Sequence, residues 1–285
     1  MVSDASIKAI CVTLLISLFV PVFVYIFYGI RNKKKGVWTA WLLGAAGFFV
    51  PQMLVRSPIL SLLAMNEGFV AFAQNYYVIY CLVLALTAAL FEVLGRYAVA
   101  RIMKKKLTFE RGVAAGLGHG GIEAITIVGL SYISNLVFSQ MINAGLYDNL
   151  VAETAASGVD TSALLTMKDA LIQTTTVEYY LAGYERILTM ILHVALSLMV
   201  CHFVWLKRDR VGVIASMLIH TVVDFLTVIL NGLSTDYLGN LISQKTAYVL
   251  VYTFLTLVAV ASVLYIVIVK KGWKSAQEEM EKQTA

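Results

Sequence analysis

The sequence predicts an all-α, polytopic membrane protein: a transmembrane helical bundle of about seven helices. Of its 285 residues, 60% are hydrophobic and only 14% are charged, whereas soluble domains are roughly 45–50% apolar. The mean hydropathy is +0.81, and apolar runs of about 20 residues, enough to cross the hydrocarbon core, recur along the chain. We therefore expect residues 1–285 to form a single transmembrane domain.

The individual spans follow from the apolar runs and the polar residues that interrupt them. The first run is longer than a signal-peptide core and is followed by Arg31 and Lys33–Lys35 rather than by a small-residue cleavage site, so it should remain in the membrane. We predict spans over residues 6–30, 37–63, 75–101, 112–144, 183–206, 211–232 and 247–269.

Basic residues cluster in the loops that would alternate to one side of the membrane. These loops and the C-terminal tail hold sixteen of the twenty-two Lys and Arg residues. The positive-inside rule places them in the cytoplasm, with the N-terminus outside. The net charge of +5 is thus explained by membrane topology, and nucleic acid is excluded as a partner. The expected surroundings are the lipid bilayer of a cell membrane, most simply a bacterial cytoplasmic membrane.

The main insertion on the outer side covers residues 147–182. It is acidic, and its middle, from Ser162 to Ile172, has a helical pattern that could lie on the outer surface. A cap that handles substrate and a plain solvated loop are both consistent with it.

The fourth segment contains five glycines close to His119. Gly112, Gly116 and Gly120 have the spacing of small residues that let helices pack closely. The alternative is local unwinding beside the histidine, which needs protein or water to satisfy the freed backbone groups.

Ionisable residues inside apolar spans are costly and therefore indicate function. His119 with Glu123, and His220 with Asp224, are spaced i, i+4, which puts each pair on one helix face. Counting about 1.5 Å per residue from the cytoplasmic helix ends places Glu123, His193, His220 and Asp224 at roughly one depth. These residues are predicted to share a site.

Other polar residues in the spans receive subordinate roles. His202 lies about 180° around its helix from His193 and is left outside the site. Arg56 is expected to extend towards the outer interface. Two pairs of residues are expected to support the site. Glu92 with Arg96 is expected to be mainly a structural ion pair. Glu185 with Arg186 is expected to be an interfacial pair.

This set of side chains suits the activation of water. Imidazoles and carboxylates bind divalent metals, and Zn²⁺ with three protein ligands keeps a position for water. A neighbouring Glu can take the proton of that water as a general base. In a metal-free alternative, the Glu activates water and the histidines stabilise the oxyanion.

At these residues the chain resembles the YhfC family of intramembrane proteases, related to the CAAX-prenyl-protease and bacteriocin-processing superfamily. The motifs are Gly118-His119-Gly120-Gly121-Ile122-Glu123-Ala124, then Glu185-Arg186 followed by His193, and finally His220-Thr-Val-Val-Asp224. The resemblance implies a polytopic helical fold and peptide-bond hydrolysis within the membrane. It also implies catalytic roles for Glu123, His193, His220 and Asp224.

The wider superfamily is matched only in part. Its double glutamate followed by Arg is represented here by Ile122-Glu123, with Ile127 four residues later, and its Phe before the middle His is Thr189. Arg186 or Arg96 could supply the missing cation. A prenylated substrate is therefore not inferred.

The expected function is that of an intramembrane endopeptidase acting on membrane-associated peptides or proteins. In this function Glu123 activates water and Asp224 orients His220. The family favours a zinc-dependent form, in which the metal ligands are His119, His193 and His220. The rival interpretations are a proton-coupled transporter, since buried His and Glu also relay protons, and a non-enzymatic immunity or scaffold protein.

Overall fold

A computed structural model describes residues 1–284 of the chain, which are helical apart from turns and short connections. Seven helices are long and apolar enough to cross a membrane, which confirms the predicted number of spans. We label them α1 to α7 in chain order: Asp4–Arg31, Val37–Leu63, Tyr77–Ile102, Phe109–Asn143, Thr176–Trp205, Asp209–Gly232 and Gln244–Trp273.

The predicted boundaries agree with these helices to within a few residues, except at one end. Helix α5 begins at Thr176, seven residues before the predicted start, because the polar residues that precede its apolar run are helical as well. The helix that contains α7 continues to Thr284.

Two of the spanning helices contain π-helical segments. Residues Phe49–Arg56 are π-helical within α2, and Ala124–Gly129 are π-helical within α4, directly after Glu123. Wider turns of this kind are often found at functional sites, because they change the face on which the following side chains lie. The chain around His119 is regular α-helix from Phe109 to Glu123, so the unwinding considered for that stretch is not observed.

The glycines of α4 instead allow its backbone to approach α5. A Cβ atom added to Gly116 would lie 2.5 Å from the Cα atom of Val194, and one added to Gly120 would lie 3.0 Å from the Cβ atom of His193. Gly112 faces Leu198 in the same way. The close-packing interpretation of this glycine pattern is therefore supported, and it places α4 directly against the segment that carries His193.

We expect Gly116→Ala to destabilise the protein, because the added methyl group meets backbone atoms that cannot rotate away. The loss should be about 1–3 kcal/mol, typical of an overpacked core, and should appear as a lower thermal midpoint in detergent. The matched control is Gly272→Ala, since a Cβ atom there meets no neighbour within 4 Å. A Gly116→Ala midpoint equal to that of the control would contradict this account of the packing.

By their internal contacts the residues divide into two compact units. The first contains Met1–Phe23 and Ala124–Ile187, and the second contains Val24–Glu123 and the chain from Leu188 onward. In the first unit the predicted outer insertion forms two helices, Tyr147–Ala156 and Ser162–Gln173. The second of these confirms the helical pattern expected in the middle of the insertion. A small core joins the insertion to the start of the chain: Val2, Ile142, Tyr147 and Leu171.

Candidate active site

The carboxylate of Glu92, on α3, lies at the centre of the polar residues in the second unit. Its Oε2 atom is 2.9 Å from Nη2 of Arg96, one turn further along the same helix, and 3.0 Å from Nε2 of His119 on α4. The nearest nitrogens of His193 and His220 lie 3.7 and 3.6 Å from the same oxygen. One acid thus contacts or approaches three histidines that come from three other helices.

Arg96 determines where the proton of His193 lies. Its Nη2 atom is 2.6 Å from Nδ1 of His193, and because a guanidinium only donates hydrogen bonds, Nδ1 must accept. A neutral His193 therefore carries its proton on Nε2, which faces Oε2 of Glu123 at 2.7 Å. Arg96, His193 and Glu123 thus lie in contact, in that order, across α3, α5 and α4.

The i, i+4 pair on α6 lies beside this chain. The rings of His220 and His193 have centroids 5.5 Å apart, and Nε2 of His220 is 3.3 Å from Oδ2 of Asp224. The Asp224 side chain is 34% exposed, compared with 4% for that of His220. Asp224 therefore contacts the outer edge of the ring, and the Nδ1 edge faces Glu92.

Gln52 also belongs to this site, although the sequence analysis did not single it out. It lies in the π-helical part of α2 and is buried, and its Nε2 atom donates to Oε1 of Glu92 at 2.7 Å. Arg56, on the same helix, donates to the carbonyl of Leu84 and to the side chain of Thr87. Its guanidinium is thus held against α3, and its expected extension towards the outer interface stays a prediction.

We expect Gln52→Leu to weaken the site, because it removes a donor from the buried Glu92 carboxylate while keeping the volume similar. Losing a hydrogen bond to a group that supports a metal ligand typically costs 10- to 100-fold in metal affinity. Titration with Zn²⁺ would measure this directly. Gln74→Leu is the control, since Gln74 lies on the short helix Glu67–Asn75. Equal affinities for the two variants would remove Gln52 from the site.

The remaining candidates from the sequence have contacts of their own. Glu185 and Arg186 belong to the first unit, where Nη2 of Arg186 lies 2.5 Å from Oε1 of Glu185, and their supporting role stays a prediction. His202 packs instead against aromatic rings near the end of α5, with its centroid 5.2 Å from that of Trp273. Its predicted exclusion from the site agrees with this placement.

Four of the clustered residues have the arrangement of a metal site. One ligand atom from each of Glu92, His119, Glu123 and His193 can be chosen so that all four lie within 4.8 Å of one another. Two imidazoles and two carboxylates form a donor set that suits Zn²⁺ and similar divalent metals. His220, predicted as a ligand, is not among these four, although its Nδ1 atom is buried and has no hydrogen-bond partner in the described part of the chain.

The charges of the cluster also fit a divalent cation. Glu92, Glu123 and Asp224 provide three carboxylates, of which Glu92 is in direct contact with Arg96. Carboxylate oxygens and imidazole nitrogens at such positions are ligands that suit a divalent cation. The residues present therefore fit a bound metal ion.

Comparison with known proteins identifies a family of membrane metalloproteases to which the chain is similar. Residues 16–240 match the family described as YhfC intramembrane metalloprotease. The chain is also 31% identical over 276 residues to "Uncharacterized membrane protein YhfC" of Bacillus subtilis (strain 168), covering 95% of this chain and 99% of that protein. No solved structure matches. Together with its seven apolar helices, these matches show that the chain is a membrane protein and belongs to the YhfC intramembrane metalloprotease family.

Proposed function

We propose that this protein is an intramembrane metalloprotease that hydrolyses peptide bonds of membrane-associated polypeptides. The observation that carries the proposal is the buried quartet Glu92, His119, Glu123 and His193, whose ligand atoms lie within 4.8 Å of one another inside apolar helices. Zn²⁺ is the preferred ion, and Glu92, His119 and His193 would hold it, with Glu123 beside them. When bound, such an ion supplies a Lewis acid that polarises the peptide carbonyl and makes water easier to deprotonate.

The two glutamates differ in a way that assigns them different tasks. Glu92 is paired with Arg96 and accepts a hydrogen bond from Gln52, so its charge is compensated and its position is fixed. Nε2 of His193 lies 2.7 Å from an oxygen of Glu123, whose side chain is 11% exposed, compared with 5% for that of Glu92. Glu123 is thus the better general base: it takes a proton from the attacking water and later gives it to the amine that leaves.

His193 and His220 position the neighbouring groups of the site. Nε2 of His193 lies 2.7 Å from Oε2 of Glu123, which places the imidazole directly beside the carboxylate that acts as base. Asp224 holds the Nε2 edge of His220. This directs the Nδ1 edge towards the cluster, where the lone pair of that nitrogen can accept a hydrogen bond from the attacking water.

Hydrolysis itself is the property to test. The purified protein is reconstituted in lipid vesicles with a library of single-span peptides, in buffer made with H₂¹⁸O. A protease incorporates ¹⁸O into each new carboxyl terminus, which mass spectrometry detects as a 2 Da shift. Cleaved products that require Zn²⁺ and disappear with a chelator support the proposal. Intact peptides across a library that samples many sequences would argue for a transporter or a scaffold.

A further inference from the structure

A small cavity lies behind the proposed active site, within the second unit. It is lined by Gly44, Arg96, Val99, Ala115, His119, Ser197 and Cys201. About 10 Å³ is open to the centre of a water-sized sphere, close to the roughly 10–15 Å³ that one bound water needs. The lining joins α2 and α3 to α4 and α5, four of the five helices that contribute residues to the site.

Arg96 has unused hydrogen-bond donors beside this cavity. Both contacts described above use its Nη2 atom, whereas Nε and Nη1 are buried and have no partner among the described residues. A guanidinium has five N–H groups, so three of them remain without an acceptor. Arg96 is 3% exposed, and a buried donor without a partner costs about 1–3 kcal/mol, more when it is charged.

Ser197 presents a complementary group to the same space. Its residue is 3% exposed, and its Oγ atom also lacks a hydrogen-bond partner in the part of the chain that the structure describes. A hydroxyl both accepts and donates, as does water. The residues that line the cavity thus include two with unpartnered buried polar atoms, Arg96 and Ser197, and a buried water normally makes about three hydrogen bonds.

We propose that this cavity is a binding site for a single water molecule that accepts a hydrogen bond from Arg96 and bonds to Ser197. The water holds the rear of the guanidinium, so that Nη2 stays directed at Glu92 and His193. Water fits better than a small anion, because the charge of Arg96 is already compensated by Glu92 and because the space admits about one water.

The direction in which Ser197→Ala shifts the thermal midpoint tests this site. The measurement needs no enzymatic assay and is therefore independent of the proposed function. If the cavity is dry, Ser197→Ala removes an unsatisfied hydroxyl and leaves the thermal midpoint equal or higher. If water is bound, the same change removes one of its partners and lowers the midpoint by about 2 °C or more. Ser216→Ala is the matched control: its Oγ is equally buried and unpartnered among the described residues, but Ser216 does not line the cavity.

The thiol of Cys201 gives a second, direct measurement. In a protein in which Cys11 and Cys81 are replaced by alanine, the Raman S–D band in D₂O reports exchange at Cys201 alone, because these are the three cysteines of the chain. We expect exchange within minutes in the folded protein, slowed at least tenfold by Ser197→Val, which fills the cavity. A Ser197→Ala midpoint at or above that of the unaltered protein overturns the proposal. So does a Cys201 thiol that remains unexchanged for hours, even if the Ser197 variants fail to fold.

Discussion

Replacing Glu123 by Gln should reduce peptide hydrolysis by about 10²–10⁴-fold, the usual contribution of a general base. The amide keeps the size of the side chain and can still contact Nε2 of His193, which lies 2.7 Å from the carboxylate. It cannot take a proton from water. The fold should therefore survive while the chemical step is lost, so that kcat falls and the thermal midpoint changes little.

The control for Glu123→Gln is the variant Glu110→Gln. Glu110 is the other glutamate of α4 and pairs with Lys35 at the beginning of the helix. Both variants are assayed by ¹⁸O incorporation at saturating peptide, with circular dichroism as a check on folding. Full activity in Glu123→Gln would transfer the role of base to another group, and an equal loss in Glu110→Gln would indicate a general effect of altering α4.

The second large effect is expected at His193, which contacts both Arg96 and Glu123. His193→Ala removes one of the four residues of the quartet and leaves both neighbours without their shared partner. We expect stoichiometric Zn²⁺ in the unaltered protein and at least a tenfold weaker affinity in the variant, together with loss of hydrolysis. Metal content after equilibrium dialysis measures the first effect, and peptide cleavage measures the second.

His202→Ala is the control on the same helix. His202 is nine residues further along α5 and packs against Trp205 and Trp273, so its removal should leave metal content unchanged. If His193→Ala retained its metal but lost hydrolysis, the histidine would be a positioning residue. If both histidine variants bound Zn²⁺ as the unaltered protein does, the quartet would not be the metal site.

Much of the fold could be predicted from the sequence, because hydropathy and basic loops are local properties. The seven spans follow from runs of apolar residues, and the pairing of Glu92 with Arg96 follows from their spacing on one helix face. The gathering of Glu123, His193, His220 and Asp224 could be expected from their depth alone. The orientation of the chain across the membrane stays a prediction.

The central position of Glu92 could not be predicted in this way. Its proximity to three histidines depends on how α3 is rotated against its neighbours, which packing determines and local sequence does not. One signal was nevertheless present. The pattern of the wider superfamily has a glutamate followed by an arginine, and Glu92 with Arg96 has the spacing of four residues that separates Glu123 from Ile127.

Gln52 illustrates a different difficulty. It is uncharged, so it does not stand out in an apolar run as an acid or a histidine does. It also lies in a π-helical segment, where the angle per residue differs from that of a regular helix. A face assigned by counting 3.6 residues per turn therefore misplaces it, and its contact with Glu92 appears only in the three-dimensional structure.

The pairing of Glu92 and Arg96 on one helix has a consequence for biosynthesis. Helix α3 is made and inserted before α4, α5 and α6 exist, so no histidine of the site is yet available to its buried acid. Arg96, one turn away, and Gln52, on the helix made before it, already compensate that carboxylate. The acid can thus enter the bilayer as half of a neutral pair, at a much lower cost than a lone charge. The later helices then close around an acid that is already in place.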